Sequence, residues 1–487
     1  MTTTAMIDFL SYFNYTSDEP LLFNSAQFLY FFIFFIVLFL LFRKQFLLRN
    51  LWTLFFSVFF YFKCSGFYFF ILLASIIIDY VLGFCIYNSK TKVQRLAFLI
   101  LSLASNLGIL AYFKYANFIV DTLNALGTNI HTINVFLPIG ISFYTFQTLS
   151  YSIDIYRGNL KPEKNILNFA FFVTFFPQLV AGPIVRAIDF LPQLRVKLKV
   201  SKIDFGKAVF FISNGLFKKA IVSDYISSHF VDRIFENPSL FSGVENLLAV
   251  YGYSLQIYCD FSGYSDMAIG IALLLGFKLP ENFNYPYKSK SITEFWRRWH
   301  ISLSSWLKDY LYISLGGNRN GLVRTCINLL ITMLLGGLWH GANWKFVLWG
   351  GLHGLVLVFE KLTHSYLLPK NAITNAFRMF WTFNFVSFCW IFFRAESFNK
   401  AKVVISQIFY QFDYHMINEI IVSYYWILLL IIFGFILHLK SKKIESIYLS
   451  MITKSPLLLK SFYVAFICWI SVQISNSEII PFIYFQF

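Results

Sequence analysis

The chain has 487 residues, 58% of them hydrophobic and only 13% charged, with 62 Phe and a formal net charge of +16. An ordinary soluble domain carries about 25% charged residues, and a soluble fold of this length could not hide so much apolar surface, so lipid must be the solvent for most of the chain. The basic residues fall in short clusters between apolar runs, which is the positive-inside pattern of a membrane protein and argues against the nucleic-acid partner that a basic soluble chain would suggest.

Residues 1–42 contain no Lys or Arg, whereas Asp8, Asp18 and Glu19 are acidic. A secretory signal would open with a basic region and close on a small-residue cleavage site. Ser25–Phe42 instead reads as a first span, followed by Arg43, Lys44 and Arg49, which places the N-terminus outside and the first loop in the cytoplasm. Further apolar runs lie near 51–62, 67–87, 96–113, 116–126, 134–152, 167–183, 205–222, 244–276, 326–340, 343–361, 377–393, 424–438 and 461–475. A straight span needs about 20 residues to cross about 30 Å of hydrocarbon. Runs such as 51–62 and 116–126 fall short and read as half-helices or re-entrant segments, tolerated where protein shields their backbone.

The expected fold is therefore all-α and polytopic, with about 11–13 membrane elements around a central core. N-terminal spans cover 25–126, a core about 134–400, and C-terminal spans 424–487. No internal repeat and no low-complexity linker divides it, so residues 1–487 read as one domain. Leu194, Val196, Leu198 and Val200 alternate with Arg195, Lys197 and Lys199, a period of two that suggests an extended, surface-lying segment. The polar stretch 277–325 carries eight basic residues and faces the cytoplasm by the same charge rule. The six Cys show no metal or CxxC spacing and read as small buried hydrophobes.

Ionisable residues inside apolar runs are functional candidates, because each is costly in lipid unless it is paired. Pro138-Ile139-Gly140, followed by Gln147, Asp154 and Arg157, and Pro177 to Arg186 are breaks that either kink a helix or border a cavity. Tyr253–Asp266 is too polar for a lipid-facing helix. Asp260 and Asp266 there require partners, for which Arg186, Arg297 or Arg298 would serve, either as a buried ion-pair network or along a substrate path. Phe295-Trp296-Arg297-Arg298-Trp299-His300 interleaves aromatic and basic residues. That pattern suits a membrane-boundary anchor, or a docking site in which Arg receives phosphate and Trp stacks on a base.

His340 closes the apolar run Leu329–Trp339 beside Gly336 and Gly337, and Gly341-Ala342-Asn343-Trp344 follows. Glycines there allow close backbone approach, and a buried neutral imidazole can take the proton of a hydroxyl. The bland alternative is a helix-packing histidine. His353 follows thirteen residues later, with no HExxH or other metal spacing, and reads as structural; no metal is expected.

The block Ser291-Ile-Thr-Glu-Phe-Trp-Arg-Arg-Trp-His300, continuing to Asp309-Tyr310 and Gly316-Gly317-Asn318-Arg319, together with Leu338-Trp339-His340-Gly341-Ala342, resembles the membrane-bound O-acyltransferase superfamily. The alginate O-acetylation branch is the nearest, and the likeness runs through the central half of the chain. The resemblance implies spans and re-entrant helices around a narrow tunnel, with His340 as catalytic base and His300 as the second histidine. It gives positions without an agreed role for Asp260, Asp309 and Asn318. A thioester donor, acetyl-CoA, would enter near Arg297, Arg298 and Trp299, with no tightly bound cofactor. Trp339 and Trp344 would shape a dry waist in which Asn343 or Tyr310 stabilises the oxyanion.

The implied setting is the cytoplasmic (inner) membrane of a bacterium, with a hydroxyl of an exported or cell-wall polysaccharide as acceptor and a periplasmic acetyltransferase of the SGNH type as partner. Alternatives are D-alanyl transfer to teichoic acid, a polysaccharide flippase, for which two related halves would be expected, and a non-catalytic scaffold.

Overall fold

The computed structural model describes residues 12–16, 20–363, 371–440, 442–474 and 482–483; Asp8, Asp18 and Glu19 lie outside them. The described residues are mainly helical, with no strand among them. They form two compact units, Met1–Lys199 with Leu275–Leu279, and Val200–Leu274 with Pro280–Phe487.

The first unit begins with α1, Ala26–Leu41, N-capped by the Ser25 hydroxyl. At 16 residues α1 reaches only about 24 Å, less than the hydrocarbon thickness expected of a straight span. α2 (Phe46–Ser65) and α3 (Phe69–Asn88) are joined by a turn at Gly66, whose φ of 57° is left-handed. α4 (Lys92–Leu110) runs through a π-helical turn, Ala111–Tyr115, into α5 (Ala116–Ala125). The two runs expected to be half-helices are thus parts of longer helices. Lys63 and Lys114 interrupt the apolar pattern, but a lysine does not break helical hydrogen bonding.

α6 (Ile141–Arg157), α7 (Ile166–Thr174) and α8 (Ala187–Leu194) complete the unit. Phe176 packs against Phe35, Phe56 and Phe60 at centroid distances of 5.5, 5.0 and 5.7 Å. The buried Asp79 carboxylate ties α3 to α4 and α6, accepting from the Ser102 and Ser152 hydroxyls (2.6 and 3.2 Å) and from the Asn106 amide (2.7 Å). Residues 197–201 are non-helical and leave Val196 and Val200 exposed, as the alternating pattern predicts.

In the second unit α9 (Lys202–Leu216) packs against α10 (Gly243–Leu274), a 32-residue helix buried over most of its length. Short helices α11 (Ile292–Trp296) and α12 (Ile301–Trp306) fold within the polar insertion. α13 (Gly321–His340) and α14 (Trp344–Leu362) form a tight pair, followed by α15 (Ala372–Arg394), α16 (Phe398–Tyr410) and α17 (Ile417–Leu439). α18 (Lys442–Lys454) and α19 (Leu457–Ile474) meet at a bend of 119°.

Among the described residues, five helical runs are long and apolar enough to cross a bilayer: Phe46–Asn88, Lys92–Ala125, Gly321–His340, Ala372–Arg394 and Tyr414–Leu439; the bent α18–α19 pair makes a sixth if it counts as one span. The remaining elements are shorter or more polar, and α10 is the clearest case. It carries Asp260 and Asp266 because protein, not lipid, surrounds it.

Candidate active site

The local sequence around His340 dictates its position. Gly337 and Gly350 sit where α13 and α14 cross: a Cβ on Gly337 would lie 2.3 Å from the Phe346 carbonyl oxygen, and one on Gly350 would lie 2.2 Å from that of Met333. Only glycine permits this approach. α13 ends at Gly341, in extended conformation, where a side chain would strike the Phe346 ring. The crossing brings Trp349 against His340, whose ring meets Trp339, Trp349 and Phe393 nearly perpendicularly at 5.0, 5.0 and 5.4 Å. The imidazole is 3% exposed. It is thus held in an aromatic shell whose packing fixes the orientation of the ring.

Trp339 bridges the two histidines, since its ring lies 6.1 Å from that of His300. His300 stands at the N-cap of α12 with φ 42°, a left-handed conformation that costs a non-glycine residue about 1–2 kcal/mol. Asn282 offsets that cost. Its backbone carbonyl accepts from Ile301 (2.9 Å) and its side-chain oxygen from the Ser302 amide and hydroxyl (3.2 and 2.9 Å), while its amide reaches Ser265 on α10. The fully buried His300 ring stands edge-on to Phe261 at 4.5 Å, and burial pushes its imidazole down to about 3, keeping it neutral.

One residue before Phe261, Asp260 pairs with Lys219 at 2.7 Å, and the same ammonium holds Asp224 at 2.7 Å. Asp266 pairs with Lys218, also at 2.7 Å. The arginine partners expected for these carboxylates are therefore replaced by two lysines of the π-helical stretch Phe217–Ser223, which lies along α10. The second Asp260 oxygen accepts the Ile483 amide at 2.9 Å, and Phe482 packs on Phe261 and Tyr264 at 5.5 and 5.0 Å. Residues near the C-terminal end of the chain thus return to the shell around His300, and no sequence pattern announced this.

The other expected site residues separate into buried and open groups. Trp299 is fully buried, stacked on Phe295 at 5.6 Å and against Trp390 at 5.1 Å, so no face is left to receive a base. Arg298 is committed to Glu294 (2.8 and 3.0 Å) and to the Asn284 carbonyl (3.1 Å). Tyr310 is buried beside Trp306 at 5.1 Å, and Asp309 next to it is half-buried. Asn343 is exposed and caps α14, accepting the Lys345 amide at 3.0 Å; Trp344 is 52% exposed and so forms no part of a dry waist. His353 lies in an aromatic box of Phe295, Trp296, Trp349 and Phe385.

Arg297 and Asn318 line an open cavity of about 650 Å³, joined by Lys308, Arg319 and Lys361. The two carboxylates there are occupied. Glu360 caps α11, accepting from Ile292 N (2.6 Å) and Thr293 N and Oγ1 (2.9 and 2.7 Å), and Glu294 holds Arg298. The cavity is therefore cationic in effect and suited to an anionic group. Sequence reasoning missed Lys308, Arg319 and Lys361 as members of this group, although the spacing Gly316-Gly317-Asn318-Arg319 was visible. Among the described residues no group of three His, Cys, Asp or Glu could hold a metal ion.

The family model of the membrane-bound O-acyltransferase (MBOAT) family matches residues 163–404, which include His300 and His340. A peptidoglycan O-acetyltransferase of Helicobacter pylori is 37% identical over 420 residues, 79% of each chain. The chain belongs to the membrane-bound O-acyltransferase family. A probable alginate O-acetylase AlgI of Pseudomonas aeruginosa is 47% identical over 311 residues, 62% of this chain and 58% of the relative. The corresponding protein of Azotobacter vinelandii is 44% identical over 331 residues, 67% and 65% of the two chains. This chain thus spans about 58–65% of the length of those alginate relatives. A teichoic acid D-alanyltransferase of Bacillus subtilis is more distant, 31% identical over 284 residues.

Proposed function

We propose that the protein is an O-acetyltransferase of the bacterial inner membrane, with its N-terminus outside. It would pass an acetyl group from a cytoplasmic thioester, acetyl-CoA, towards a hydroxyl of an exported or cell-wall polysaccharide. The observation that carries this reading is His340, buried at the end of an apolar helix in a shell of aromatic rings, one tryptophan away from a second buried imidazole. The likeness to an alginate O-acetylase and a peptidoglycan O-acetyltransferase supports O-acetylation and a polysaccharide acceptor. The lower identity to the D-alanyl transferase makes that activity the weaker reading.

In this account the phosphates of the donor rest on Arg297, Arg319, Lys308 and Lys361. Trp299 and Arg298 support the fold of the insertion and do not touch the donor. The acceptor oxygen attacks the thioester carbonyl while His340 takes its proton. The C–S bond then breaks, the thiolate of coenzyme A leaves and is protonated, and the acetyl ester forms on oxygen. His300 keeps the site dry and ordered through Phe261 and Trp339. A secreted acetyltransferase of the SGNH type would complete delivery to the polymer.

The test uses purified full-length protein in proteoliposomes, given either labelled acetyl-CoA or a D-alanyl-loaded carrier protein. Label appearing on a hydroxyl acceptor from acetyl-CoA alone is the expected result. Transfer only from the carrier protein, or from neither, would overturn the proposal.

A further inference from the structure

A second cavity, of about 390 Å³, lies in the second unit where the apolar run Tyr414–Leu439 ends. His438 and Lys440 line it at that end, and α18 closes one side with Glu445 and Leu449. Ile444, Ile447 and Met451 of α18 are 53%, 51% and 65% exposed and share one face at helical spacing. The opposite side of α18 packs on Val209 and Phe210 of α9. A lysine-flanked helix that keeps an apolar stripe uncovered beside the end of a span lies in the headgroup zone of a bilayer, so the cavity opens at the membrane boundary.

Its lining is of two kinds. The floor is apolar, from Phe211, Phe217 and Leu449; the rim carries Lys440, Glu445 and Glu281, with the Lys218–Asp266 pair at 2.7 Å behind them. The rim therefore offers both signs of charge. A site for a plain anion would show an excess of cations, as the Arg297 cavity does.

His438 supplies an independent sign that something binds. Its Nε2 accepts the Tyr287 amide at 3.2 Å, which places the ring proton on Nδ1. That Nδ1 has no hydrogen-bond partner, although the residue is only 3% exposed. A buried donor without an acceptor is costly and is normally satisfied by a ligand or water.

We propose that this cavity holds the headgroup of a zwitterionic phospholipid. The phosphate oxygen accepts from His438 Nδ1–H and pairs with Lys440, and the ammonium sits between Glu445 and Glu281. The glycerol rests on the phenylalanine floor, and the acyl chains leave the cavity towards the hydrocarbon, while the apolar stripe on the far side of α18 seats that helix in the boundary. The volume suits a headgroup and glycerol, a small-ligand size, and not a whole lipid. The site is separate from His340 and does not rest on the acyl-transfer reading.

The full chain is purified from bilayers holding equal phosphatidylethanolamine and phosphatidylglycerol, and retained lipid is measured by native mass spectrometry. Wild type should retain phosphatidylethanolamine in about tenfold excess, equivalent to one ion pair of about 1.4 kcal/mol. Glu445→Gln, which can still accept the Tyr285 hydroxyl, should abolish that preference. Lys440→Met, which leaves in place the backbone carbonyl that Lys288 holds, should lose bound phospholipid of both kinds and carries the test if Glu445→Gln folds poorly. Equal retention of the two lipids by wild type, or unchanged retention in Lys440→Met, would overturn the proposal. So would stabilisation by inorganic phosphate equal to that by the lipid, or displacement of the lipid by acetyl-CoA.

Discussion

Replacing Gly337 with Ala adds one methyl group at the crossing of α13 and α14. The new Cβ would lie 2.3 Å from the Phe346 carbonyl oxygen and 3.1 Å from the Gly350 Cα, about 1.1 Å short of the 3.4 Å at which ordinary contact begins. Both neighbours are backbone, so the helices must part by about an ångström. His340 lies three residues further along the same helix face, and it would withdraw from Trp349. Overpacking of this kind costs about 1–3 kcal/mol, and an ångström of misplacement at a reacting group costs about 10²-fold in rate. Gly336→Ala is the control. Its Cβ would meet only the Leu307 Cδ1 at 3.2 Å, the end of a flexible side chain, and it gains the same helix propensity, up to about 1 kcal/mol. Acetyl transfer in proteoliposomes and thermal unfolding in detergent read both effects. Gly337→Ala should lose activity and stability while Gly336→Ala stays near wild type. Equal behaviour of the two variants would refute the crossing as the device that positions His340.

Lys219→Met should destabilise the protein by about 3–5 kcal/mol, because two buried carboxylates lose their shared cation; adding Asp260→Asn should recover part of the loss in thermal unfolding. Arg297→Ala with Arg319→Ala should raise KM for acetyl-CoA at little change in kcat, the mark of lost uniform binding, whereas Arg298→Ala should lower Tm and leave KM alone because it ties Glu294 to Asn284. The folded His300 sits at about 3 against an ordinary 6.5, so below about pH 6.5 the unfolded chain binds a proton that the native state refuses, and stability falls as pH drops towards 3. His300→Phe should make that acid slope shallower in thermal melts at stepped pH, and an unchanged slope would count against burial as its cause.

The lipid-facing character of the chain and the setting of His340 beside close-packing glycines were legible because they are local. A hydrophobic run, a terminal histidine and flanking glycines sit side by side in Gly336–Gly341. Partnerships were not legible. Lys218 and Lys219 stand inside an apolar run and look like interruptions of a span until α9 and α10 are laid together. Trp299 reads as an interfacial anchor by composition, yet the left-handed turn at His300 and stacking on Phe295 carry it into the core. Lys63 and Lys114 cut the apolar runs short while the helices continue through them, so run length falls below helix length there. Asp79 stands out inside the apolar run 67–87, but its three neutral partners come from two other helices and nothing local names them.

The most direct measurement is the single-turnover rate of acetyl transfer for His340→Gln, with folding checked by thermal unfolding and donor binding measured separately. With the imidazole removed and donor affinity unchanged, the rate should fall by about 10²–10⁴, the usual worth of a positioned general base. A folded His340→Gln protein that transfers acetyl groups as fast as wild type would contradict the role given to this residue.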